Sequence, residues 1–277
     1  HALRSDASPA VDGLSERWMQ APDWFRAVAL DGGTYTIVPS VDVFDQPEAS
    51  RTYGVRDEAR CLSVNHATAE ELARIFVLAA GRSLDEAAAL AACIVDWRDP
   101  DNTLRPGGAE DGYYRTLPDP YPCKNAPFES LDELLLVRGI DPALLAEVRP
   151  LLTAVGDGRI NINTAGPAVL QSCGLQGETV DTIVKVRRGS DGLAGTADDL
   201  VLDAVDTVPD RLAAETGLSE TDLAPLRALI AADRLAVGTA CVRGVVEARA
   251  GSATWRAAFV LRRDGRVLAW RRLTDAP

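Results

Sequence analysis

Histidine is almost missing from this chain of 277 residues: His1 and His66 are the two it has. General-base chemistry built on imidazole is reduced to one internal candidate. No HExxH pair, no GxxxxGK[ST] phosphate loop and no serine elbow accompanies it. His66 is expected to cap or pack at a strand-to-helix turn, and an enzyme is not expected. The five cysteines, Cys61, Cys93, Cys123, Cys173 and Cys241, include no CxxC pair, so thiolate metal binding has no spacing to rest on. Their odd number leaves at least one thiol unpaired in a monomer. Small buried apolar residues are the plain reading, although an oxidising compartment would permit a bridge. Long apolar runs are also lacking: the stretch 87–95 falls far short of the roughly 20 residues of a membrane span. Basic charge is short too, with a net charge of -12, which disfavours the phosphate contacts that nucleic-acid binding requires.

What is present is a composition of 47% hydrophobic and 25% charged residues, ordinary for a globular protein and enough for one large domain or two smaller ones. Apolar residues at helical intervals around Leu14, Trp18, Trp24 and Phe25 read as the end of a helix, interrupted by Pro22. Residues 34–43 alternate as a strand, and a second short strand is expected at 61–64 after the acidic pair Asp57 and Glu58. Helices are expected over 69–80, 83–95, 131–137, 142–152, 169–173, 178–188, 208–215 and 222–232, from their Ala, Leu and Glu content and the glycines that punctuate them. Residues 238–272 read as a meander, with Trp255, Ala257, Phe259 and Leu261 on one side and Asp264-Gly265 at a hairpin.

A short internal repeat organises the middle. Leu62, Val64, Asn65, Ala67 and Leu72 align at a constant offset with Ile160, Ile162, Asn163, Ala165 and Leu170. Each copy reads as strand, Asn-containing turn, helix, and the Asn side chain is suited to accept from freed N–H groups at the helix start. Strands at both ends with helices between them imply an α+β fold in which the terminal strands pair across the helical region.

The stretch 94–140 holds the unusual residues. Asp96, Asp99 and Asp101 lead to a turn at Pro106-Gly107-Gly108, then to Glu110 and Asp111 before Tyr113-Tyr114, and the stretch closes with a capping box at Ser130 and Glu133. Carboxylates so concentrated repel one another, and calcium takes six to eight oxygens from such flexible loops, so these five acids are the candidate cation ligands. Asp191, Asp198 and Asp199, in a loop with three glycines, form a weaker second candidate. Leu-x-x-x-Arg-Gly-Ile before residue 142 has the form of a helix-hairpin-helix turn. Asp141 and Gln176 follow the two hairpin glycines where a phosphate would sit, so both turns are expected to be scaffolding, with a nucleic-acid module as the alternative reading.

The words DWRDPD, GGAEDGYY, KNAPFESLDELLLVRGI and ININ-TA resemble the K-type minor pseudopilins of the bacterial type II secretion system. That resemblance implies a pseudopilin-like core, an N-terminal helix plus antiparallel sheet, carrying a large inserted helical domain. The expected division is 1–66 and 236–277 for the core, with 67–158 and 159–235 for the two parts of the insertion. It further implies calcium in the insertion, I-type and J-type minor pseudopilins as partners, exported cargo nearby, and a tip position in the pseudopilus. A prepilin leader and an apolar helix are expected ahead of His1, which would anchor the protein in the inner membrane with this part in the periplasm.

Overall fold

Both ends of the chain meet in one antiparallel sheet. In the computed structural model, which describes residues 3, 6, 8–40, 43, 44 and 46–273, β1 (Val28–Leu30) and β2 (Gly33–Val38) form a hairpin. β2 pairs with β8 (Cys241–Ala250) from the far end of the sequence, placing Val38 opposite Val245. β9 (Ala253–Arg262) and β10 (Val267–Leu273) continue the meander, giving the order β1-β2-β8-β9-β10 with β3 (Arg56–Asp57) also on β8. The expected pairing of the termini is therefore present. Small apolar clusters cover the sheet, one with Phe25, Phe44, Tyr53 and Val245 and another with Trp18, Val55, Val242 and Phe259.

Two local expectations need correction. The strand expected over 34–43 stops at Val38, because Pro39 has no N–H to continue the ladder; Val43 is buried outside the strand, and Val41, like His1, lies outside the described residues. The helix expected near Trp18 and Trp24 shrinks to α1 (Pro22–Phe25), and β1, which follows it, turns into β2 at Asp31-Gly32, where Gly32 takes φ 81°. That dipeptide between two apolar runs was the readable hairpin signal.

Between the sheet strands lie eight helices among the described residues. α2 (Ala69–Ala80) starts at a capping box of Thr68 and Glu71 and stops where Gly81 adopts φ 60°, with the Arg82 N–H bonding back to Phe76. It packs against α3 (Leu84–Arg98), α5 (Pro142–Val148) and α6 (Pro167–Ser172). α7 (Gly177–Arg187), α8 (Val208–Thr216) and α9 (Glu220–Ala231) complete the second half, after α4 (Asp111–Tyr114) in the first. One apolar cluster runs from Leu62 to Leu235 and unites these helices. Residues 131–136 form a 3-10 helix, so the turn at Gly139 does not join two α-helices as a hairpin motif would.

The repeat survives in hydrogen bonds. β4 (Leu62–Ser63) pairs in parallel with β5 (Leu152–Thr153), and β6 (Ile160–Asn161) pairs in parallel with β7 (Leu235–Ala236). In the first copy Arg98 donates to the carbonyls of Val64 and Ala67; in the second, Arg187 donates to Ile162 and Ala165 at 2.6 and 2.9 Å. The repeated asparagines do not cap helices, contrary to expectation. Asn65 accepts from Phe128 N and donates to Phe128 O and Ala154 O, while Asn163 accepts from Leu202 N and donates to Leu202 O and Val237 O. Each side chain closes its copy by holding two distant loops, and capping falls to residues farther along, as at Thr68. Asn163→Ala strands three backbone groups in a buried place, and a loss of about 2–3 kcal/mol is expected in urea unfolding. A loss under about 0.5 kcal/mol would show that water replaces the amide without cost.

Candidate functional site

α3 delivers the acidic stretch at its C-terminal end. Asp96 is fully buried there, and its carboxylate receives the Arg105 backbone N–H at 3.3 Å and the Arg105 guanidinium at 2.9 Å. Arg105 reaches back because Pro106-Gly107 forms a tight turn, with the Gly108 N–H on Arg105 O and Gly107 at φ 81°. A side chain at Gly108 would lie 2.0 Å from Asp96 Oδ2, so the turn demands glycine by close approach. The same guanidinium pairs with Asp99.

Three acids converge beside this turn. Asp99, Asp101 and Glu110 each present a carboxylate oxygen within 4.8 Å of one another, the only such grouping among the described residues. Glu110 is 6% exposed, and neither of its oxygens makes a hydrogen bond of good geometry, although the Cys123 thiol offers a weak contact that lowers its carboxyl a little; Asp99 Oδ1 is likewise buried and unpartnered. Burial, followed by the charges of Asp96, Asp99 and Asp101, pushes the Glu110 carboxyl up to about 7. Asp101 is exposed and accepts from Thr103 N at 2.7 Å; the Thr103 hydroxyl first, and then this N–H, hold its carboxyl below the usual range. An all-oxygen set with unpartnered buried atoms has the chemistry of a hard-cation site.

The other two acids of the stretch are spent elsewhere. Asp96 serves Arg105, as above. Asp111 pairs with Arg115 one turn along α4 and accepts from Cys123 N at 3.1 Å, which ties the return of the loop to its start. Trp97, Tyr114 and Tyr121 pack edge-on and stacked beneath, and the Asn125 N–H bonds to Trp97 O. In the second acidic loop the carboxylates are largely satisfied from within. Asp198 accepts from Ser190 N, Asp191 N and the hydroxyls of Ser190 and Thr196, which holds its carboxyl well below the usual range. Asp199 accepts from Gly195 N and Asp191 from Leu193 N. The five cysteines are all unpaired.

A buried polar seam between the sheet and the helical region was missed in the sequence. Asp57 accepts from Asn161 at 2.9 Å and Thr164 at 2.5 Å, and the neighbouring Glu58 pairs with Arg243 at 3.3 Å. Asp12, also buried, receives Thr239 N at 2.6 Å and pairs with Arg263, which also pairs with Asp6 at 2.7 Å. In the sequence alone the Asp57-Glu58 pair is equally compatible with solvated turn residues. Their position just before a buried strand was the available signal.

Residues 52–157 match the family model described as Type II secretion system (T2SS), protein K. This segment is a type II secretion system protein K domain. The K domain contains Asp57, Glu58, the first copy of the repeat and the whole cluster of Asp99, Asp101 and Glu110; the loop at 191–199 lies beyond it. The Type II secretion system protein K of Pectobacterium carotovorum subsp. carotovorum is 38% identical over 93 residues, 33% of this chain and 28% of the relative. That of Aeromonas hydrophila is 41% identical over 85 residues, 30% of this chain and 26% of the relative. The matched part thus spans about a quarter of the length of these curated relatives. Beyond the K domain the likeness is one of fold. A chain in the crystal structure of the GspK-GspI-GspJ complex from the enterotoxigenic Escherichia coli type 2 secretion system superposes with a TM-score of 0.73 at 17% identity, covering 99% of this chain and 92% of that one. Among the described residues no helix is long and apolar enough to cross a membrane.

Proposed function

We propose that this chain is part of a K-type minor pseudopilin, a structural rather than catalytic subunit that assembles with I-type and J-type minor pseudopilins at the tip of the pseudopilus and supports protein export. The observation that carries the reading is the K domain itself, matched at 38% and 41% identity by two type II secretion proteins K. The pairing of β2 with β8 across the 202 residues between Val38 and Cys241 supports a pseudopilin core with a helical insertion, divided near residues 67, 159 and 236. Such an insertion gives a physical reason for the tip: it would obstruct a subunit stacking above. An apolar helix ahead of His1 would anchor the protein in the inner membrane and leave this part in the periplasm, within reach of cargo.

Calcium fits the first acidic loop, with Asp99, Asp101 and Glu110 as ligands and Asp96 and Asp111 shaping the loop around them; 191–199 is the weaker second place. The ion would supply charge neutralisation to carboxylates that otherwise repel. The helix-hairpin-helix alternative loses ground at Asp141, whose own carboxylate occupies the start of α5 by accepting Leu144 N at 2.8 Å, where a phosphate would have to bind.

Mixed with purified soluble domains of I-type and J-type minor pseudopilins at tens of micromolar, the chain is expected to elute as one stoichiometric complex on size exclusion. Separate elution of all three, with each shown to be folded, would remove the assembly reading.

A further inference from the structure

A cavity of about 280 Å³ lies between the first half of α3, the Gly107 turn, the Gly139 turn and the start of α5. One stripe of α3 supplies a wall, since Glu86, Ala89, Leu90 and Cys93 recur at helical spacing, with Arg82 just ahead of them. Leu144 lines it from α5. The two turns approach α3 this closely because they carry glycine: a Cβ at Gly139 would meet Leu90 Cδ2 at 2.9 Å, and one at Gly107 would meet Ala89 at 3.3 Å.

The lining combines an apolar surface with two guanidinium groups. Cys93 and Leu144 are buried, and Ala89 and Leu90 are half-buried. Arg82 and Arg138 share the cavity, and neither forms an ion pair among the described residues. Arg138 is held in place, with its guanidinium 4.8 Å over the Tyr113 ring and donating to Gly108 O at 3.3 Å. The Arg82 side chain makes no hydrogen bond among the described residues, and its Nε is buried without an acceptor. A buried donor of this kind is costly until an oxygen meets it. The two acids beside the cavity do not supply one. Glu86 turns back to Ser83, accepting its N–H at 3.0 Å and its hydroxyl at 2.8 Å, while Asp141 accepts Leu144 N at 2.8 Å. Each acid sits at the positive end of its own helix, which offsets its charge.

We propose that this cavity receives the carboxyl-terminal residue of a partner polypeptide, one with a large apolar side chain. Size decides among occupants: the space holds one such side chain, and a strand or helix would not enter it. An apolar body and a carboxylate therefore come on the same residue, and the end of a chain is where a polypeptide carries both. The side chain lies against Leu90, Cys93 and Leu144, and the carboxylate accepts from Arg82 and Arg138. An internal Asp or Glu would bring the charge and leave the apolar surface uncovered. Asp99, Asp101 and Glu110 do not line the cavity, so the site stands apart from the cation reading.

The test titrates the 277-residue chain, at low salt, with a short acetylated glycine-serine peptide that ends in phenylalanine and a free carboxylate. The amide signals of Leu90, Gly107 and Gly139 should shift on addition, and Arg82→Gln should weaken binding about tenfold. Ala89→Leu should fill the cavity and abolish the shifts; Arg82→Gln keeps the test open if that variant misfolds. Arg266→Gln, in the hairpin of the terminal sheet, should leave affinity unchanged, which separates a built site from general attraction to arginine. Four outcomes overturn the proposal: no shifts at millimolar peptide, equal shifts from the same peptide with an amidated end, unchanged affinity in Arg82→Gln, and hydrocinnamate binding as tightly as the peptide, which would make the cavity a site for small acids.

Discussion

Chelation of calcium is expected to lower the melting temperature of the chain by roughly 5–10 °C at pH 8. An ion that binds only the folded state at about a hundred times its dissociation constant stabilises by about 2.7 kcal/mol. The proposed ligands give this effect a distinctive pH dependence. Without the ion, the folded-state value of Glu110 near 7 lies above its ordinary 4.5. The folded state therefore holds more protons than the unfolded one in that window, so stability without the ion falls as pH rises from 4.5 through 7. Calcium needs the carboxylate ionised, so its contribution rises over the same window. The gap between melting curves in calcium and in chelator should be small at pH 5 and full at pH 8. Asp101→Asn with Glu110→Gln should close the gap at every pH, and without calcium at pH 8 this variant should melt above the wild type because the repulsion is gone. Asp111→Asn should keep the gap, since that side chain serves Arg115 and Cys123. Magnesium should reproduce little of it, because it demands a tighter octahedral shell. Coincident wild-type curves in calcium and chelator at pH 8, with no ion retained on metal analysis, would leave an acidic loop and no site.

The loop was legible because composition alone marks it: carboxylates crowded around a Pro-Gly-Gly turn need compensation of some kind. Which acids face one another was not legible. Asp96, Asp99 and Asp101 share one short segment, and their separation into a structural acid and two candidate ligands depends on where Arg105 swings after the Pro106-Gly107 turn. Glu110 and Asp111 are adjacent, yet Arg115 at helical spacing draws Asp111 away and leaves Glu110 without a hydrogen bond of good geometry.

The sheet and helices show the same division between local and distant causes. Alternation in 241–273 and the capping residues of α2 act within a few positions, so strands and helices were readable there. The repeat was readable too, but the task of its asparagines was not, because Asn163 works on residues 39 and 74 positions away. Asn161 and Asp57 meet across 104 residues, and Arg263 and Asp12 across 251. No periodicity encodes such a partner; the fold must already be formed for the need to arise.

The contacts of Arg263 supply the largest single-residue effect. Arg263→Met is expected to cost about 3–5 kcal/mol at pH 8, because it leaves buried carboxylates without their counter-charge. Asp12 is fully buried and Asp6 nearly so, and both rely on this guanidinium, which also lies over the Trp18 ring at 5.9 Å. Burial already raises the Asp12 carboxyl from 3.8 to about 6 despite the arginine and the Thr239 N–H. A group raised in this way adds stability that is fully present below its unfolded value and is lost as pH rises through the folded value. Removing Arg263 moves the folded value higher still, so the deficit should be greatest at pH 8 and shrink as pH falls toward 5, where Asp12 takes up a proton. Asp12→Asn in the same chain keeps an oxygen for Thr239 N and removes the stranded charge, so the double variant should recover a large part of the loss and depend less on pH. The calcium response should persist in both, since the acidic loop uses none of these residues. A loss below about 1 kcal/mol, the value of an exposed pair, with no change between pH 5 and 8, would mean that water reaches Asp12 and that the seam does not depend on this charge.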